Sequence, residues 1–181
     1  MIQGKNGSIL AVNGFMDLHV HLREPGHSEK ETILTGTASA IAGGYSLICP
    51  MPNLCPAPDS LENLGKQLSL INTVKTRVCV LPFGTITMNR NGKEPVAYAS
   101  LLDEVAGFSD DGSGVEDDQL MHTCMREIAA CGGLLSAHCE LMYNHQTGEK
   151  VESIGEREWR EVERNIRFAK ETGCRLHICH V

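Results

Sequence analysis

Short apolar runs alternate along the chain with longer segments in which hydrophobic residues recur every three or four positions. The short runs predict six strands, at residues 16–21, 45–49, 77–81, 105–109, 134–138 and 175–181. The periodic segments predict helices that begin near Ser28, Asp59, Pro95, Asp118 and Glu156. Strands that alternate with helices are typical of parallel βα units. The pattern therefore predicts an α/β protein.

Two of these helices have specific sequence signals. The first has a capping-box pattern, Ser28 followed by Glu31, and it should end at Gly43-Gly44. Its predicted inner face comprises Ile33, Thr37 and Ile41. For the last helix, the predicted apolar stripe comprises Trp159, Val162, Ile166 and Ala169. We expect both faces to pack on the sheet.

The first strand places apolar and ionisable side chains on opposite faces, because successive side chains of a strand alternate. Met16, Leu18 and Val20 form the apolar face, which we expect to pack against helices; Asp17, His19 and His21 form the other. Burying two imidazoles and a carboxylate is costly unless a partner compensates. A divalent metal is such a partner, since neutral imidazole is a common zinc ligand. The alternative is a strand with two solvated histidines.

Polar residues fall at or just beyond the carboxyl ends of the predicted strands. They are His19, His21, Asn53, Asp110, Asp111, His138 and His180. Both an open doubly wound sheet and a (β/α)₈ barrel contain parallel βα units, but in a barrel the strand ends converge on one site. No G-x-G-x-x-G motif follows a strand, which argues against a dinucleotide-binding sheet. The pattern favours a barrel with a two-metal site of four histidines and one or two aspartates.

Composition narrows the class of protein further. The 181 residues are 41% hydrophobic and 22% charged, with a formal net charge of −7. These values are typical of a soluble globular protein, and the negative charge argues against a nucleic-acid surface. We find no apolar run of membrane-spanning length and no signal peptide. The eight cysteines include no C-x-x-C pair, so we interpret them as buried free thiols in a reducing cytoplasm.

The motifs together resemble a known family. Residues 14–26 are similar to the opening motif of dihydroorotases, in the cyclic-amidase branch of the amidohydrolase superfamily. The resemblance continues in order through residues 30–33, 43–45, 51–53, 108–112, 137–140 and 176–181. It covers almost the whole chain from Gly14 onward and implies a TIM-type barrel. It also implies reversible conversion of dihydroorotate, a small-molecule substrate, into N-carbamoyl-L-aspartate in pyrimidine biosynthesis.

The resemblance implies a role for each matching side chain. His19 and His21 would bind one zinc ion, and His138 and His180 a second. Asp111 would bridge both ions, while Arg23 and Asn53 would hold the substrate carboxylate. The zinc ions would activate the attacking water and polarise the amide carbonyl.

The chain departs from the family in length. A (β/α)₈ barrel typically needs about 250 residues, so we expect an incomplete barrel with about six of its eight βα units at residues 14–181. Residues 1–13 would be the remnant of an N-terminal β segment. In the family, the eighth strand carries a further aspartate that binds metal and shuttles the proton. The prediction is therefore a fragment that lacks this catalytic aspartate and that binds one of its two ions weakly.

Two alternatives remain open. A hydantoinase or allantoinase would also be a cyclic amidase, although those relatives generally bridge their metals with a carboxylated lysine, which favours dihydroorotase. A non-catalytic, truncated dihydroorotase-like protein is the alternative from another class. Unpaired strand edges and exposed apolar faces would make it prone to self-association. A homo-oligomer or a complementing chain is therefore expected.

Overall fold

A computed structural model describes residues 2–3, 9–140, 150 and 153–181 of the chain. The strands are β1 Ile2–Gln3, β2 Ile9–Leu10, β3 Phe15–Val20, β4 Tyr45–Pro50, β5 Cys79–Val80, β6 Leu134–Ala137 and β7 Arg175–Ile178. The helices are α1 Ile33–Ala42, α2 Leu61–Thr73, α3 Tyr98–Leu101, α4 Asp118–Ala130 and α5 Ile154–Thr172. Most of the polar loop predicted at 139–155 lies outside the described residues.

Parallel pairing organises the sheet. β3, β4 and β5 pair in that order, and β6 pairs with β7; β1 and β2 form a separate antiparallel pair. The fourth predicted strand, at 105–109, does not form as a regular strand. Phe108 makes single parallel bridges to Gly84 and Leu135 and so links the two groups of strands. Just beyond Phe108, the Asp110 carboxylate accepts hydrogen bonds from the backbone amides of Ile86 and Thr87, in place of a backbone carbonyl of a neighbouring strand.

The largest apolar cluster lies between the sheet and α4. Its buried side chains include Met121, Cys124, Met125 and Ile128 of α4, which pack with Phe108 and Leu135. The prediction of an inward face at Met121, Met125 and Ile128 is confirmed. This packing holds Phe108 in the middle of the sheet. The loop that follows Phe108 contains Asp111.

Helix α1 begins later than the sequence predicts. Residues 28–30 form a turn, and Thr32 is the N-cap. Its hydroxyl accepts the Thr35 amide, while the Glu31 carboxylate accepts the Thr32 amide instead of capping a helix from Ser28. Ile33 and Thr37 are buried as expected, but Ile41 is exposed near the C-cap Gly43. The predicted inner face is therefore right only for its first two members.

The apolar face of β3 is not covered as predicted. Met16 and Leu18 are 67% and 46% exposed. Helix α1 packs mainly on β4. Of the predicted face, Val20 packs against the small core formed by Leu22, Ile33, Ile48 and Val78. The prediction is therefore right for Val20 and wrong for Met16 and Leu18.

Helix α5 presents a face to the protein that differs in part from the one predicted. Trp159 and Ile166 are 52% and 41% exposed, whereas the buried residues are Glu161, Arg164, Asn165 and Phe168. The reason lies in what α5 covers. Arg164 donates to the backbone carbonyls of Val115 and Glu116, in the loop after Asp111, and the buried Val115 carbonyl needs a donor. Val162 and Ala169 pack against the largest apolar cluster as predicted, so the stripe is right for these two and wrong for Trp159 and Ile166.

All eight cysteines lie in the described part of the chain and are free thiols. Five are buried, Cys131 is half-buried, and Cys55 and Cys79 are exposed, so the prediction of uniform burial is wrong for these last two. Both exposed cysteines lie outside the apolar clusters. Among the helices described, none is long and apolar enough to cross a membrane.

Candidate metal centre

The predicted site residues meet around one carboxylate. His19 lies near the end of β3, next to its final residue Val20. His138 directly follows β6, and His180 follows β7 after Cys179. Asp111 lies in the loop after Phe108. Asp111 Oδ1 lies 3.5 Å from His19 Nε2, from His138 Nδ1 and from His180 Nε2. Asp111 Oδ2 lies 3.7 Å from His21 Nε2. The sheet thus curves enough for its first and last parallel strands to reach the same side chain.

These separations suit metal ions rather than direct hydrogen bonds. Two atoms that are each about 2.0–2.1 Å from a tetrahedral zinc ion lie about 3.4 Å apart. The distances from the Asp111 oxygens to the four ring nitrogens, 3.5–3.7 Å, are close to this value. The distance between His138 Nδ1 and His180 Nε2 is 3.2 Å. Two groups of ligand atoms result, His19–His21–Asp111 and Asp111–His138–His180, and they share the carboxylate.

Asp111 offers an unused acceptor oxygen that such an ion could occupy. Its side chain is buried, and Oδ1 accepts no hydrogen bond from any residue that the structure describes. Burial alone would raise the pKa of Asp111. Interactions with His138 and Asn53, and the nearby rings of His19 and His21, outweigh burial and lower that pKa well below its usual range. The group is therefore an ionised carboxylate with a free lone pair.

Asn53 connects the first histidine pair to Asp111. Its Nδ2 donates to Asp111 Oδ2 and to the Asp111 carbonyl, each at 2.9 Å. Its Oδ1 therefore faces His21 Nδ1, 2.9 Å away, and that nitrogen must carry the proton. His21 Nε2 then carries no proton, and its lone pair faces Asp111. Asn53 thus lies within the ligand network; its predicted contact with a substrate carboxylate stays a prediction.

The imidazoles have different protonation tendencies. Burial lowers the pKa of His19 despite the opposing charge of Asp111. Burial and the Arg23 cation together lower the pKa of His21. Both rings therefore favour the neutral form, which is the form that binds metals. The adjacent Asp111 carboxylate raises the pKa of His138 despite the burial of the ring.

Asp110, the other aspartate of the predicted pair, points away from the histidines. Its carboxylate accepts from the amides of Ile86 and Thr87 and from the Thr87 hydroxyl. Burial raises the pKa of Asp110 to about 6, although these hydrogen bonds lower it. The structure places Asp110 in the support of the loop and Asp111 in the cluster.

Arg23 lies beside the first histidine pair. Its half-buried guanidinium makes no hydrogen bond or ion pair with any residue that the structure describes, and its charge acts on His21. A planar cation without a partner is suited to a carboxylate ligand.

The sequence of the whole chain was compared with known families. The family model described as "Dihydro-orotase-like" matches residues 8–181. The chain belongs to this dihydro-orotase-like family. Its metal-ligand candidates therefore lie inside the matched region.

Two curated relatives are similar in sequence to this dihydro-orotase-like chain. Dihydroorotase of Staphylococcus aureus (strain N315) is 41% identical over 93% of the chain and 42% of the relative. Dihydroorotase of Staphylococcus epidermidis (strain ATCC 12228) is 38% identical over 97% of the chain and 44% of the relative. The chain therefore spans less than half the length of these relatives.

Solved structures share the fold at lower sequence identity. L-Hydantoinase from Arthrobacter aurescens superposes with a TM-score of 0.73 at 21% identity, over 93% of this chain and 42% of that one. Dihydroorotase from Campylobacter jejuni gives a TM-score of 0.64 at 21% identity, over 92% and 46%. These neighbours are amidohydrolase TIM-barrel proteins, and the dihydro-orotase-like chain is α/β like them.

Two residues near the cluster had no role in the sequence-based prediction. The Glu140 carboxylate lies 3.5 Å from His138 Nε2, where it can hold the ring with Nδ1 towards Asp111. Its spacing of two residues from His138 was a usable signal, since such residues share a face of an extended segment. Arg90 donates to the Asp111 carbonyl. No local pattern marks it, because it reaches Asp111 from a separate turn.

Proposed function

We propose that these residues form the metal-binding part of a zinc-dependent cyclic amide hydrolase. The reaction would be the reversible hydrolysis of dihydroorotate to N-carbamoyl-L-aspartate, the conversion that serves pyrimidine synthesis. One observation carries the proposal: four histidine nitrogens surround a buried carboxylate whose Oδ1 has no described donor, at separations that fit shared metal ions. Family membership supports the same conclusion.

The residues of the chain would divide the work as follows. His19 and His21 would hold one zinc ion, His138 and His180 a second, and Asp111 would bind both. When bound, zinc lowers the pKa of water to about 7 and polarises a carbonyl oxygen. Asn53 and Glu140 would keep His21 and His138 in the tautomers that the ions need. Arg23 would receive the substrate carboxylate and so orient the ring amide.

Zinc binding is the first expected result. The purified 181 residues, stripped with a chelator and titrated with zinc, should bind the metal, with one ion weaker than the other. In the double variant His138→Ala/His180→Ala, we expect one ion fewer, because one ligand group loses both imidazoles. The double variant His122→Ala/His177→Ala is the control, since neither residue belongs to a ligand group. A folded parent that binds no zinc would contradict the proposed function.

Turnover should be tested in two chains, because these residues span only 42% of a curated relative. One is the 181 residues alone; the other joins them to the C-terminal remainder of the Staphylococcus aureus dihydroorotase. Ring opening of dihydroorotate is measured with zinc supplied. We expect turnover in the longer chain. The 181 residues should be slower by about 10²–10⁴-fold, the usual loss when a general base is missing. A longer chain that is folded, zinc-loaded and inactive would exclude dihydroorotate as substrate.

Substrate specificity provides a separate prediction. In the longer chain, Arg23→Lys keeps the charge but loses the planar fork, so one charge-assisted hydrogen bond to the substrate carboxylate is lost. We expect kcat/KM for dihydroorotate to fall by about 10- to 100-fold. Dihydrouracil, a cyclic amide without the carboxylate, should be affected much less.

The control for this variant is Arg77→Lys, an exposed arginine before β5, at the opposite end of the strands from the cluster. It should leave both substrates unchanged. An equal loss on both substrates in Arg23→Lys would show that Arg23 supports the structure. Higher turnover of hydantoin than of dihydroorotate in the parent would favour the hydantoinase alternative.

A further inference from the structure

The turn at residues 88–91 has an unusual backbone. Asn89 and Arg90 are consecutive non-glycine residues in the left-handed region, with φ angles of 52° and 56°. Such a conformation is strained for residues other than glycine and persists only where surrounding contacts enforce it. The backbone conformation of Arg90 is therefore one that the isolated chain would rarely adopt.

Contacts from two separate segments, and one hydrogen bond across the base of the turn, enforce this conformation. The Asp59 carboxylate accepts the Asn89 amide at 2.9 Å. The Ser113 hydroxyl donates to the Arg90 carbonyl at 3.2 Å. The Thr87 hydroxyl accepts the Gly92 amide at 2.9 Å and itself donates to Asp110. The turn is thereby joined to the loop that carries Asp111.

The Arg90 side chain returns to the same loop. Its Nη2 donates to the Asp111 carbonyl at 2.8 Å. Asn53 Nδ2 donates to that same carbonyl oxygen at 2.9 Å, so one peptide group receives two side-chain donors. The carboxylate of this residue faces the four histidines. A rotation of the peptide would turn Oδ1 and Oδ2 away from their ligand groups.

The placement of Arg90 favours a supporting role over direct binding of an anion. Its Nη2 is committed to the Asp111 carbonyl, its Nε is buried, and the residue is half-buried. Arg23 lies beside the first histidine pair and makes no hydrogen bond or ion pair with a described residue, so an incoming carboxylate has a better site there.

We propose that Arg90 is a positioning residue that fixes the Asp111 peptide and so aims both carboxylate oxygens at the two histidine groups. This inference rests on the proposed metal site. A donor at this position is sufficient, since only one hydrogen bond is made. Loss of an outer-shell partner of a ligand typically costs 10–100-fold in metal affinity, and we expect about that loss when the donor is removed.

The test compares three variants of the 181 residues with the parent. Arg90→Met removes the donor, Arg90→Lys keeps a charged donor, and Lys93→Met removes an exposed cation just after the turn. Zinc affinity is measured by calorimetric titration against a competing chelator. We expect about 10- to 100-fold weaker binding in Arg90→Met, substantial recovery in Arg90→Lys, and the parent value in Lys93→Met.

A second readout does not need the metal. The amides of Ser113 and Gly114 donate to the Asp110 carbonyl at 3.0 and 2.8 Å and should be protected from hydrogen exchange. In the zinc-free proteins, their exchange should quicken in Arg90→Met and not in Lys93→Met. Unchanged exchange overturns the role of Arg90, whether or not zinc binds. If the parent binds zinc and Arg90→Met binds it equally well, the role of Arg90 is again overturned while the metal site stands.

Discussion

Replacing Asp111 with asparagine should weaken zinc binding by more than about 100-fold, which exceeds the usual cost of losing an outer-shell partner. The reason is that both ligand groups contain this carboxylate. Asparagine is neutral and offers a single acceptor oxygen, so it cannot serve both groups at once. Competition titration with a chelator measures the loss.

The same variant should also be less stable without metal. Burial raises the pKa of Asp111, but contacts with the histidines and Asn53 outweigh burial and lower that pKa, so the ionised carboxylate is favoured in the folded state over the unfolded state. Asparagine loses this contribution, and urea unfolding of the zinc-free Asp111→Asn protein at neutral pH should therefore give a lower free energy of unfolding than that of the parent. Glu116→Gln, an exposed carboxylate of the same loop, is the control and should change neither quantity. Unaltered zinc affinity in Asp111→Asn would remove Asp111 from the site.

The second large effect is expected at Arg164, where methionine should lower the free energy of unfolding by about 3–5 kcal/mol, the usual cost of breaking a buried ion pair. Arg164 and Glu161 have side chains that are 5% and 6% exposed, with 2.5 Å between Nη2 and Oε2. The substitution leaves the Glu161 carboxylate buried without this cation. It also removes the donor to the carbonyls of Val115 and Glu116.

The matched control lies on the same helix. Arg160 pairs with Glu156 at the surface, in an i,i+4 arrangement. Such exposed pairs are worth about 0.3–0.5 kcal/mol, so Arg160→Met should have a small effect. Urea unfolding followed by circular dichroism measures both variants. A change below about 1 kcal/mol in Arg164→Met, a value typical of surface pairs, would show that the buried network is not needed for stability.

The convergence of the candidate ligands could be predicted because the signal for each one lies within its own strand. A histidine or aspartate directly after an apolar run falls at the carboxyl end of a strand, and parallel strands bring these ends to one side. His138 and His180 were found in this way. Arg90 could not be, since its contact with Asp111 depends on a strained turn and on the path of another loop.

Packing faces were predicted less well, for a physical reason. An apolar stripe such as Trp159 and Ile166 indicates what a helix could bury, but not what its neighbour needs. The neighbour of α5 exposes backbone carbonyls, so Arg164 is turned inward. Similarly, Met16 alternates correctly within β3, yet whether that face is covered depends on other elements. A periodic pattern describes the faces of a single helix or strand, whereas the burial of a face depends on which other element packs against it.

The sheet brings together histidines that are far apart in sequence and that are therefore synthesised at different times. His19 and His21 lie near the beginning of these 181 residues, and His180 lies next to their last residue. Translation proceeds at about 5–20 residues per second, so roughly ten seconds or more separate the synthesis of the two ends. During that interval the nascent chain offers one imidazole pair without its full set of partners. Such a pair discriminates poorly between divalent metals, which follow the general order of affinity for nitrogen ligands. For the proposed metal site, selection of the ion would therefore be a property of the folded strands together and not of the growing chain.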